Sequence, residues 1–384
     1  MRLWPTYDRR LPEVPESSRA RRRRGPGPTD LLVIGLVAVV AGALLLVGNR
    51  SGSERNTASP CEQGRANPEV DAGFAAGSGL PSRSDTELAR DLEGIAATGA
   101  SYLRFDLPWS FIEEQPGDFR WHEFDRIIDD AHACGLEVVG LLTYSPVWAR
   151  APGTSEHAPP LDVDDFAAFV AEAVRRYAPR GVEAWEVWNE PNADFFWEPA
   201  PDPAAYTELL IAAYEAVKSV DADATVVSGG LAPVPDALDG ETISPATFVE
   251  GMYAAGAGGH FDALGHHPYS FPALPDEDDD TGFGQTRRLH DLMEENGDGD
   301  KRIWGTEFGV PTGSAGFPTT FVAESATAGY DAWRAWPFTG PLLWYTYRDP
   351  GTDPSDPEDN FGLVTADYRP KEPALSAFEA VIRR

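Results

Sequence analysis

Two glutamates close apolar runs in distant parts of this chain: Glu190 in "EAWEVWNEPN", residues 183–192, and Glu307 in "KRIWGTEFG", residues 301–309. A packed core has no use for an ionisable group at either place, and Glu190 is preceded by an amide, Asn189, and followed by a proline. One carboxyl that keeps its proton and another that stays ionised are the minimum for cleaving an acetal such as a glycosidic bond. The first then serves as general acid and the second as nucleophile or base. Further polar side chains interrupt apolar runs: Arg104 in "SYLRFDL", and His267 and Tyr269 in "FDALGHHPY". They fall toward the C-terminal ends of their runs instead of scattering along them.

Such residues need a scaffold that brings many strand ends to one place. Eight apolar, strand-like runs lie at 70–77, 101–107, 136–144, 182–188, 224–230, 261–269, 301–309 and 341–347. They are separated by segments whose apolar residues recur at three- and four-residue spacing. Strand followed by helix, eight times over, predicts an α/β fold of the (β/α)8 TIM-barrel type across residues 65–384, with active residues at the C-terminal mouth. An open doubly wound sheet is the rival. It would carry a Gly-rich phosphate turn after its first strand; "GFAAGSG" is a loose match, and no acidic residue follows at the expected strand end.

"WNEPN" followed by "WGTEFG" resembles the clan A glycoside hydrolases, and residues 102–139, "YLRFDLPWSFIEEQPGDFRWHEFDRIIDDAHACGLEVV", are similar to the second strand and helix of families 5 and 39. The resemblance extends over nearly all of residues 65–380. It implies a retaining double displacement with Glu190 as acid/base and Glu307 as nucleophile, and no metal or cofactor. It further implies that Asn189 bonds the sugar 2-hydroxyl and that His267 and Tyr269 form a His-x-Tyr pair, with Tyr269 donating to the nucleophile. Trp344 in "PLLWYTY" corresponds to a flat floor under the sugar ring. Arg104 is placed to keep Glu307 ionised by charge pairing. His266, one residue out of phase with His267, is expected behind the barrel wall. Trp109, Trp148, Trp197 and Phe196, on segments expected at the mouth, are candidate platforms for further sugar units. The implied substrate is an oligo- or polysaccharide of unspecified linkage. A barrel that only binds carbohydrate, or a transglycosylase using the same residues, are the alternatives.

Composition bounds the rest. With 42% hydrophobic residues and 11 Trp the chain is globular, and a net charge of −31 excludes nucleic acid as a partner, since phosphate binding needs clustered cations. The basic residues gather instead in "SSRARRRRGPGP", within a tail at 1–30 read as disordered and cytoplasmic. "LLVIGLVAVVAGALLLVG", residues 31–48, has no charge and is long enough to span a bilayer; the arginines before it put the N-terminus inside. A cleaved signal is the alternative, but "AGA" lies within the apolar run, so an uncleaved anchor at the plasma membrane is expected, followed by a polar extracellular tether at 49–64. Cys61 and Cys134 either pair outside the cell or stay separate, Cys134 then being a small buried residue. The acidic runs at 275–280, 294–300 and 349–360 lack the spacing of a calcium loop and are read as solvated.

Overall fold

A computed structural model describes Cys61, residues 71–275 and residues 281–384. The predicted tail, anchor and most of the tether, the boundary at 65, and the acidic residues 276–280 lie outside these. Among the described residues no helix is long and apolar enough to cross a membrane.

Eight strands form a closed barrel in chain order, every neighbouring pair parallel: β1 (Ala72–Ala75), β2 (Tyr102–Pro108), β3 (Glu137–Thr143), β4 (Ala184–Asn189), β5 (Thr225–Gly230), β6 (Ala263–His266), β7 (Arg302–Phe308) and β8 (Thr339–Tyr345). Each predicted run overlaps one strand, and closure removes the sheet edges that an open arrangement would expose. The surrounding helices are α1 (Asp85–Thr98), α2 (Trp109–Ile112), α3 (His122–Ala133), α4 (Val163–Tyr177), α5 (Pro203–Val220), α6 (Pro245–Ala254), α7 (Gly282–Glu295), α8 (Thr319–Ala335) and α9 (Ala374–Ile382).

Local chemistry sets the helix starts. Ser84 caps α1 with a reciprocal bond to Glu87, and Asp202 and Ser244 cap α5 and α6, each followed by a proline whose missing N–H costs nothing at that position. The core is the apolar layer between strands and helices. In it Phe378 of α9 packs on Phe74 of β1, Tyr330 of α8 and Trp344 of β8, sealing the seam where the barrel closes.

Cys61 and Cys134 form a disulfide. Cys134 follows α3 and leads into β3, so Cys61 is tied to the barrel's N-terminal face, opposite the mouth. The acidic run at 294–300 lies on that same face, before β7. The run at 349–360 follows β8 and is knotted on itself, Asn360 donating to the carbonyls of Asp353 and Asp356.

Candidate active site

Arg104 is the hub of the barrel interior. Its guanidinium is fully buried and forks three ways: Nε and Nη2 reach Glu186 at 2.5 and 3.2 Å, Nη2 also reaches Asn189 Oδ1 at 2.9 Å, and Nη1 reaches Glu307 Oε1 at 2.6 Å. A planar fork meets such a set of acceptors where an ammonium would not. Glu186 was not singled out by sequence, though an acid inside the buried run "AWEVW" was a signal. It is completely buried and also accepts from Gly230 N at 2.9 Å and Thr306 Oγ1 at 3.0 Å, so its charge is spread over several donors.

The end of β4 presents Asn189 and Glu190 by breaking its own alternation. Trp188 adopts φ 71° and Glu190 φ 42°, left-handed conformations that side-chain-bearing residues seldom take. The twist leaves Trp188 packed outward on Trp197 and Phe166, while Asn189 turns in to Arg104. Glu190 N donates to Gly230 O, and a Cβ on Gly230 would collide with the His267 ring, so glycine there is what lets His267 approach.

His267 Nδ1 lies 2.8 Å from Glu190 Oε1 and 3.7 Å from Glu307 Oε2, bridging the pair. Tyr269 donates to Glu307 Oε2 at 2.9 Å. One oxygen of each glutamate and one ring nitrogen of His267 all lie within 4.8 Å of one another. Burial pushes the Glu190 carboxyl above its ordinary value, and the charge of Glu307 adds to this against the opposing bond from His267. Burial also works to raise Glu307, but the charges of His267 and Arg104 and the bonds from Tyr269 and Arg104 outweigh it and hold that carboxyl low. Two carboxyls in one chamber are thus driven apart, one toward keeping its proton and one toward losing it.

Of the sequence candidates, Arg104, Asn189, Glu190, His267, Tyr269 and Glu307 meet at the mouth. His266 turns away as expected, its Nε2 donating to Gly282 O at 2.8 Å, and burial pulls its pKa down to about 4, keeping it neutral.

Three aromatic expectations, those for Trp344, Trp109 and Trp197, are corrected. Trp344 has no exposed surface; its ring packs on Phe308 and Phe378 in the layer between barrel and helices, so it offers no face to a sugar. The next residue, Tyr345, faces the mouth instead and donates to Glu358 Oε2 at 3.1 Å. Trp109 is buried among Trp148, Phe166 and Phe169, with Nε1 on Glu113, because the chain after β2 folds straight into α2. Trp197 is buried between Trp188 and Tyr206. Trp148 is half-buried, its ring edge-on to Trp109 and its Nε1 donating to Glu113 O. Among the described residues, Tyr144 and Phe196 stack with ring centres 6.4 Å apart.

No family model and no curated protein matches this sequence. Solved structures match it along most of the barrel. The fold is shared with glycoside hydrolases. A family 39 glycoside hydrolase from the gut symbiont Bacteroides cellulosilyticus WH2 superposes with a TM-score of 0.66 at 24% identity, covering 82% of this chain and 65% of its own. A monomeric β-xylosidase from Caulobacter crescentus CB15 gives 0.61 at 20% identity, covering 82% and 68%. A GH5_18 protein from Streptomyces cattleya, solved in complex with GlcNAc, gives 0.59 at 20% identity, covering 84% and 80%. This chain therefore spans about two-thirds of the length of the first two. At such identities the likeness is one of fold.

Proposed function

We propose that this chain is a retaining glycoside hydrolase acting on an oligo- or polysaccharide, with Glu190 as acid/base and Glu307 as nucleophile. The observation that carries the reading is that the two carboxyls face each other across His267, with one oxygen of each within 4.8 Å of the other. Retaining enzymes hold the pair at about 5–5.5 Å, whereas an inverting enzyme needs about 6.5–9.5 Å to seat a water between carboxylate and sugar.

Ionised Glu307, aimed by Arg104 and Tyr269, attacks the anomeric carbon while Glu190 gives its proton to the departing oxygen. Asn189 turns its oxygen to Arg104 and so presents its amide N–H group to the sugar. When the glycosyl ester forms, the charge of Glu307 disappears, and with it part of what raised Glu190. The acid thereby becomes a better base for the water that completes hydrolysis.

Activity on this account rises as Glu307 loses its proton, below the ordinary value of 4.5, and falls as Glu190 loses its own, above 4.5. A pH profile of Glu190→Ala tests the assignment. The alkaline limb should vanish, and turnover should drop about 10²–10⁴-fold on substrates with poor leaving groups. Glycosides of acidic phenols, which leave unaided, should lose far less in the glycosylation step. An unchanged alkaline limb, or equal losses for both leaving groups, would remove Glu190 from the role.

The enzyme is further proposed to act outside the cell, anchored by residues 31–48 with a cytoplasmic N-terminus. The Cys61–Cys134 disulfide supports this, because such bonds persist in oxidising compartments. Thiol labelling of the protein in intact cells should find both cysteines unreactive until a reductant is added; two free thiols would argue for a cytoplasmic barrel.

A further inference from the structure

Asp106 stands two residues beyond Arg104 on β2, on the same inward face and about 7 Å nearer the mouth. Asp106 is 6% exposed; among the described residues no protein donor reaches its carboxyl oxygens, which keep a little surface open to water. Arg104 lies below it, but four of that guanidinium's contacts already go to Glu186, Asn189 and Glu307. A largely buried carboxyl that no protein group bonds, open only at the mouth side, is a group that the hydroxyls of a ligand can complete.

The surroundings sharpen what that ligand is. Acidic groups near Asp106 include Glu307, Glu186 and Glu156, and Glu358 faces Glu307 and Glu190 from the loop after β8. Glu156 accepts from Ser110 and Glu358 from Tyr345, and among the described residues neither forms a salt bridge. Of the basic side chains near the opening, Arg150 donates to Ser145 O and Lys371 is paired with Asp349. Burial pushes both Asp106 and Glu358 up to about 7, so a hydroxyl donor would draw Asp106 toward its ionised form.

Resting on the glycoside hydrolase reading, we propose that Asp106 selects the sugar whose anomeric carbon lies over Glu307. Its carboxylate takes hydrogen bonds from neighbouring ring hydroxyls, or from an ammonium, of a neutral or amino sugar. Together with Glu156 and Glu358 it rejects sugars that carry carboxylate or sulfate.

The test compares kcat/KM on nitrophenyl β-xyloside, glucoside, mannoside, glucosaminide and glucuronide for the wild-type chain, Asp106→Asn and Asp106→Ala, with the thermal midpoint of each. Wild type should turn over neutral or amino sugars and discriminate strongly against the glucuronide. Asp106→Asn should lower kcat/KM on the preferred sugar about 10- to 100-fold, the worth of hydrogen bonds to a charged group. It should also narrow the discrimination against glucuronide at least about tenfold, while the midpoint stays level or rises. A lowered midpoint with equal losses on every sugar would make Asp106 merely structural, and a wild-type preference for glucuronide would overturn the proposal outright. If wild type cleaves none of the five, the hydrolase reading fails separately, and the selection is then read by calorimetry with neutral and uronic oligosaccharides. Neutral binding that weakens in Asp106→Asn would uphold it; equal binding of both kinds, or binding of neither, would end it.

Discussion

Glu307→Gln is expected to lower kcat by at least about 10⁴-fold on every substrate the chain cleaves, because the proposed nucleophile is removed from a set that acts as a unit. Shape and hydrogen bonding are nearly kept: the amide oxygen can still accept from Tyr269 or Arg104, and Arg104 retains Glu186 and Asn189. What is lost is the negative charge and the nucleophilic oxygen. A smaller residue opens a second readout, since Glu307→Gly leaves room for azide to attack in place of the carboxylate. Azide should then restore turnover and yield a glycosyl azide of inverted configuration. Residual activity above about one per cent in Glu307→Gln, where the loss expected for such a group is orders of magnitude larger, would mean that another group attacks.

The second large effect is on stability. Arg104→Met strips the shared cation from Glu186 and Glu307, and Glu186 has no exposure through which water could replace it. Breaking one side of a buried charge set costs about 3–5 kcal/mol, because a charge is left uncompensated. For a barrel of this size that corresponds to a fall of roughly 10 °C in the unfolding midpoint. Arg104→Lys should rescue little, since a single ammonium cannot span Glu186, Asn189 and Glu307 together. Adding Glu186→Gln to Arg104→Met should recover part of the loss, as neighbours in one network couple. A midpoint for Arg104→Met within a degree or two of wild type would show that the fork is not what holds the barrel interior.

Much of this is legible in the sequence. Polar residues at the ends of apolar runs mark a barrel mouth, and Arg104, Asn189, Glu190, His267, Tyr269 and Glu307 do meet there, from four different strands and the turns that follow them. Strand phase was the weak point. In "PLLWYTY" the neighbouring residues are nearly all apolar, so nothing in the pattern says whether Trp344 or Tyr345 faces inward, and a one-residue slip exchanges the faces. The loop aromatics failed for a different reason: Trp109 and Trp197 lie in segments that turn back under the mouth, and a sequence does not show whether an aromatic in a loop lies over the core or over solvent. Glu186 was marked only as an acid inside a buried run; its partner, Arg104, sits on another strand far away in the chain. The left-handed turns at Trp188 and Glu190 left no signature either, since neither position is a glycine.

Two carboxyls this close are proposed to work by double displacement. The most direct measurement is the proton NMR spectrum of a reaction with an aryl glycoside of the sugar the enzyme accepts, recorded before mutarotation scrambles the product. The first sugar released should carry the same anomeric configuration as the substrate. First appearance of the opposite anomer would mean that water attacks directly, and that Glu307 is a base and not a nucleophile.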